Sequence, residues 1–154
     1  MNYTVDLKPR AIKDLKHLQK QDASRIADAL ERLQSDLTGD VKKLTNFTPE
    51  YRLRVGQFRV LFEIENETQI ISLSRCSSAR GIPVEGEIKM VTLHPSILER
   101  DGKKAFAVLP YEEFLKIEEE LDDLEDIKDL RTAKAEEVTA STVSLASVRN
   151  ELKI

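Results

Sequence analysis

Tryptophan is missing from the 154 residues, and cysteine occurs once, at Cys76. A single thiol excludes an internal disulfide and fits a reducing, cytoplasmic setting. At the end of a strand-like segment it reads as a small apolar residue rather than a nucleophile. Histidine is nearly as scarce: His17 and His94, with so little cysteine beside them, are too few for a metal cluster. No metal or other cofactor is expected. Apolar runs extend only a few residues, too short to span a bilayer, so no membrane partner is expected. No charged-then-apolar leader precedes the first strand-like segment, and no secretory signal is expected. With five Phe and three Tyr, the core must rest on Leu, Ile and Val. The length suits one ordinary domain or two small ones with thin cores.

Charge is plentiful and unevenly spread. Residues 1–89 carry 15 Lys and Arg against 13 Asp and Glu, whereas residues 90–154 carry 9 against 15. A mildly basic half joined to a strongly acidic one suggests complementary partners.

"NYTVDL" alternates polar and apolar residues and predicts a short strand. Pro9 suits a first helical position, where its missing N–H costs nothing. Ile12, Leu15 and Leu18 then predict an amphipathic helix over 9–19. Asp22 is the expected cap of a second helix, striped by Ile26, Ala29, Leu30, Leu33 and Leu37 and stopped by Gly39. These two helices should form a tight hairpin.

Further on, "EYRLRVGQFRVLFEIENETQIISLSR" alternates again. Gly56-Gln57 fits a two-residue hairpin turn, which sets Val55 against Phe58 and Arg54 against Arg59. Arg52, Arg54 and Arg59 then share one sheet face, opposite the apolar face covered by helices. Like charges directly across a ladder are destabilising, which a structural sheet has little reason to accept. An anion-binding surface has such a reason; a solvated charged face is the alternative. A further strand is predicted over Gln69–Ser74.

The order strand, helical hairpin, "KKL…YRLRVGQFRVLFEI", strand resembles the RelE/ParE superfamily of bacterial toxins over about residues 1–76. The resemblance implies an α+β fold, with a RelE-like antiparallel sheet and an N-terminal helical hairpin. In the RelE branch it implies a metal-independent endoribonuclease that cuts messenger RNA in the ribosomal A site. Arg52 and Arg54 fall where that family places basic residues near the scissile phosphate, and Arg59 matches its phosphate-contacting arginine. These three are the catalytic candidates; Lys42, Lys43, Arg75 and Arg80 are the RNA-binding ones. In the chemistry implied, a ribose 2′-OH attacks the adjacent phosphate, so the protein must hold the chain in line and neutralise developing charge. Arginine does the second task well but is a poor general base.

The family's C-terminal tail, commonly H-R-R-E-V-Y, does not follow. Its place is taken by "SSARGIPVEGEIK", Ser77–Lys89. Codons that encode Ser77–Val84 exist which, read one base later, spell H-R-R-E-V-Y-R and a stop. A frameshift near Cys76–Ser77, followed by translated spacer up to Met90, accounts for the stretch. An ordinary Gly- and Pro-containing linker is the alternative.

From Met90, short strands are expected at Ile97–Glu99 and Ala105–Leu109 around the turn Arg100–Lys103. Pro110 opens a long helix striped by Phe114, Ile117, Leu121, Leu124, Ile127 and Leu130, with Asp and Glu crowding its other face. A short last helix is expected from Ser144. "DGKKAFAVLPYEEFLKIEEELDDLEDIKDLRTAKAEE" is similar to Phd/YefM-type antitoxins. That likeness implies a small β-hairpin, a long acidic helix and an extended tail that neutralises a basic toxin. Phe114, Ile117, Leu121 and Leu124 are the expected neutralising residues, with the tail crossing near Arg52, Arg54 and Arg59. Most of the segment that forms DNA-binding dimers in that family is absent, which argues against operator DNA as a partner.

Three parts are thus expected: a toxin-like domain over 1–76, a linker over 77–89 and an antitoxin-like segment over 90–154. Their leading functional reading is a toxin–antitoxin pair in one chain, inactive or self-neutralised, with contact made within the chain or by domain swapping. An active ribosome-dependent mRNA interferase and a non-enzymatic DNA-binding autorepressor are the alternatives.

Overall fold

Strand β1 (Thr4–Leu7) buries Val5 and Leu7 and leads into helix α1 (Pro9–Lys16), with Pro at the expected first position. The helix ends before residue 19, because the His17 and Leu18 N–H groups turn back to the Asp14 and Leu15 carbonyls, three residues earlier. Helix α2 (Lys20–Asp36) begins after Gln19, not at Asp22. Asp22 lies within the first turn, where an acid is favoured by the exposed N–H groups. At the other end Leu37, at φ 50°, terminates the helix in place of the expected Gly39. Gly39, at φ +139°, instead permits close approach: a Cβ there would sit 3.0 Å from the Leu53 Cδ1.

Strand β2 (Asp40–Lys43), β3 (Glu50–Val55), β4 (Phe58–Glu65) and β5 (Ile70–Ser78) follow. Gly56, at φ +59°, makes the β3–β4 turn, and the ladder sets Val55 against Phe58 and Arg54 against Arg59 as expected. β5 runs four residues beyond the expected Ser74. A bulge opposite Leu61 and Phe62 leaves Ser74 between the paired Leu73 and Arg75.

These elements describe a mixed α+β unit, residues 1–79 together with 126–154. The structure, a computed structural model, describes residues 2–45, 48–78 and 92–154. The six-stranded sheet runs β2-β3-β4-β5-β1-β8, and β1 lies parallel to β5 while the other pairs are antiparallel. β8 (Val143–Ser144) therefore joins the β1 edge, away from β3 and β4, contrary to a tail crossing near Arg52, Arg54 and Arg59. β1 offered it unpaired backbone groups, and helix α4 (Leu145–Leu152) beyond it buries Leu145 and Val148 in the main core. The last helix begins where expected, and Ser144 caps it by accepting the Ser147 N–H.

The main core joins β1, β3, β4 and β5 to α1, α2 and α4. On the other face, Leu44 and Leu61 meet Leu130, with Ile127 packed against them.

The second unit, residues 80–125, contains the hairpin of β6 (Ser96–Arg100) and β7 (Lys103–Val108) and the beginning of α3 (Tyr111–Glu136). Asp101 and Gly102, both at positive φ, form its turn. The Glu113 carboxylate accepts the His94 backbone N–H at 2.7 Å, which lowers its pKa. No helix among the described residues is long and apolar enough to cross a membrane.

Candidate functional site

Alternation along a strand sends every second side chain to one face. Arg52 and Arg54 thus share a face with Glu50, and the ladder places Arg59, Leu61 and Glu63 on it from β4 and Lys42 from β2. Arg52 is only 2% exposed and Arg59 4%. Two guanidiniums in so dry a place demand an anion, since unpaired buried charge is very costly.

The anion comes from α3. Asp126, 0% exposed, accepts from the Arg52 Nη1 at 2.9 Å through Oδ2 and pairs with the Arg59 Nη1 through Oδ1. One carboxylate thereby divides its two oxygens between the two arginines. A second layer follows along the helix. Arg131 donates through Nε and Nη2 to the two Glu50 oxygens, each at 3.2 Å, and Lys134 pairs with Glu63. Burial pushes the Glu50 carboxyl up, but hydrogen bonds from Arg131 and from the Thr48 hydroxyl outweigh it and hold its pKa below the ordinary carboxylate value. At the helix end, Glu137 accepts the Arg10 backbone N–H at 2.7 Å, and Glu136 pairs with the Arg10 side chain. The acidic segment thus also satisfies an N-terminal donor of α1, whose own cap Lys8 supplies no side-chain bond.

The catalytic candidates are therefore brought together on one face: Arg52 and Arg59 on Asp126, and Arg54, half-buried, next to them in the ladder. Lys42 pairs across from Arg52 on the same face, whereas Lys43, opposite Tyr51, points to the other. Arg75 is held at 2.8 Å by the Asp14 Oδ2, which also accepts the Cys76 N–H at 3.0 Å. Arg80, and the rest of the stretch Ser77–Lys89 beyond Ser78, lie outside the described residues. Burial pushes the Cys76 thiol up to about 12, in keeping with a structural cysteine.

Of the expected neutralising residues, Phe114, Leu121 and Leu124 are exposed and Ile117 half-exposed, all in the second unit. The contact with the sheet is made instead by Asp126, Ile127, Leu130, Arg131 and Lys134, and Ala133 is buried as well. At about 100° per residue, Asp126, Leu130 and Ala133 lie across the helix from Phe114, Ile117, Leu121 and Leu124, whereas Arg131 lies beside Leu124. The signal that could have found them is the spacing Asp126, Leu130, Ala133, Glu137, an apolar stripe closed at both ends by acids. Among the described residues no group of His, Cys, Asp and Glu could hold a metal ion.

Comparison with known proteins finds relatives of the N-terminal half of the chain. The family model described as the ParE toxin of the type II toxin–antitoxin system parDE matches residues 5–82. The toxin RelE3 of Methanocaldococcus jannaschii is 36% identical over 64 residues, 38% of this chain and 73% of that protein. A RelE1 protein of the same archaeon is 28% identical over 85 residues, 53% of this chain and 94% of that one. The crystal structure of the archaeal RelE–RelB complex from Pyrococcus horikoshii OT3 covers 51% of this chain and 96% of its own, at 25% identity and a TM-score of 0.46. Through residues 5–82 the chain belongs to the ParE/RelE family of toxins from type II toxin–antitoxin systems.

Proposed function

We propose that this chain is a toxin–antitoxin module in one polypeptide: an RNase-type toxin unit neutralised by its own acidic helix. The observation that carries this reading is Asp126, buried between Arg52 and Arg59. In-line attack of a 2′-OH needs those guanidiniums on a phosphate, where they neutralise the charge that develops. A carboxylate there takes the phosphate's place, and Leu130 on Leu44 and Leu61 closes the face. Neutralisation within the chain needs little intrinsic affinity, because the tether makes the local concentration high. The family's toxins belong to toxin–antitoxin systems, which supports an antitoxin-like role for the segment after residue 90. The site calls for no metal, and a cytoplasmic location follows from the ribosomal messenger RNA proposed as substrate.

Asp126→Asn tests the reading, keeping the size of the side chain while removing its charge. The variant should bind a single-stranded RNA oligonucleotide at least about tenfold more tightly than the parent. If its ribosomes also show messenger RNA cuts, the toxin unit retains catalysis; binding without cuts fits a neutralised unit that has lost it. Unchanged RNA affinity in a folded variant would refute the reading. The origin of the fusion in a shifted toxin frame is part of the same proposal. It is checked by the coding DNA, which must spell H-R-R-E-V-Y one base out of register after Cys76.

A further inference from the structure

Glu50 and Glu63 have no task in neutralising a phosphate-binding site. They stand directly opposite one another in the β3–β4 ladder, on the same face as Arg52 and Arg59. Like charges so placed repel, and Glu50 is only 1% exposed. RNA presents a backbone of negative phosphates, which two carboxylates repel. A helix can satisfy both halves of the face at once. α3 supplies an acid at Asp126 for the arginines, then bases five and eight residues later, Arg131 for Glu50 and Lys134 for Glu63. Residues 126, 130, 131, 133 and 134 lie along one side of a helix, so a single surface carries the whole order of charges.

We propose that Glu50 and Glu63 are an address: they determine which helix this sheet face accepts, separately from the arginines that the helix silences. The partner they fit is α3 of this chain, an amphipathic helix with an acid followed at +5 and +8 by bases around a central Leu. A helix that is acidic throughout matches Arg52 and Arg59 but meets Glu50 and Glu63 with repulsion, as a nucleic acid does. Specificity of this kind comes from the repulsion of wrong partners as much as from attraction to the right one. The inference rests on the neutralisation reading only for what the docked helix prevents, not for how the helix is chosen.

Charge reversal in the full chain tests it, with hydrogen exchange of the α3 amides from Ile127 to Glu136 as the measure of docking. Reversing the sheet (Glu50→Arg with Glu63→Arg) or the helix (Arg131→Glu with Lys134→Glu) should speed exchange at least about tenfold. All four substitutions together should bring it back to within about threefold of the parent. Lys128→Glu, on the exposed side of α3, should leave it unchanged and controls for net charge. If the four-substitution chain exchanges as fast as the two-substitution chains, or if neither reversal speeds exchange, the address does not exist. RNA affinity of Asp126→Asn is read separately. A failure there with charge-swap rescue intact removes the neutralisation reading and leaves the address, and the converse result removes the address alone.

Discussion

One face of the six-stranded sheet buries Val5, Leu7, Leu53, Val60, Phe62, Ile71 and Leu73 against α1, α2 and α4, whereas the other meets α3 through Leu44, Leu61 and Leu130. Around that small apolar contact lie Arg52, Arg59, Asp126 and Glu50, all nearly inaccessible to water. The first face gains from removing hydrocarbon from water, a gain that depends on area and is indifferent to partner. The second gains little net from its ion pairs, since desolvation cancels much of their attraction. It is, however, strongly penalised when one partner is missing. A face built in the first way holds a fold together; one built in the second way selects what covers it. The contrast explains why the acidic segment contributes to both. Its tail strengthens the first face through Leu145 and Val148, and its helix closes the second.

Perturbing each face in turn sharpens that contrast. Phe62→Ala, deep in the first, should cost about 3–5 kcal/mol. It should lower the urea midpoint of the whole first unit, seen as a single cooperative shift by circular dichroism. Leu130→Ala removes the apolar centre of the second face and should cost about 2–4 kcal/mol. The loss should be local: α3 amides exchange faster while those of β4 and β5 keep their protection, and equal loss in both would erase the distinction between faces. Ser144→Ala removes the α4 cap and should cost about 1 kcal/mol, read as a small drop in melting temperature with RNA affinity unmoved. Acidification gives the smallest effect. The Glu50 pKa is held below its ordinary value, so the stability it contributes is complete above the ordinary carboxylate pKa and is lost as pH falls through the lowered one. Glu50→Gln should flatten that part of the profile of α3 protection against pH; an unchanged profile would mean that Glu50 does not anchor the helix.

Much of the sheet and of the helix that covers its first face was legible in the residues. Period-two alternation in "YRLRVGQFRVLFEI" and the Gly56-Gln57 turn predicted the β3–β4 register, and with it the grouping of Arg52, Arg54 and Arg59. The stripe of Ile26, Ala29, Leu30 and Leu33 predicted the buried side of α2. Helix ends were less legible, because Leu37 adopts a left-handed conformation that a glycine two residues on was expected to supply. The stripe predicted for α3 holds at Ile127 and Leu130, which pack with Leu44 and Leu61. A periodic apolar pattern does not say which part of a helix is buried.

What the sequence by itself determined is local: the helices and the strands other than β2 and β8, the hairpin turns, the arginine face, and the family to which residues 5–82 belong. These follow from backbone geometry and hydrophobic period, which act between near neighbours in the chain. Only the tertiary structure decided that Asp126, 74 residues beyond Arg52, is the carboxylate between the arginines. It also decided that Arg131 and Lys134 meet Glu50 and Glu63, and that β8 joins β1. An acidic helix carries many equivalent carboxylates, and nothing local distinguishes one from the next. The choice among them is made by burial, which exists only once the helix has docked on the sheet.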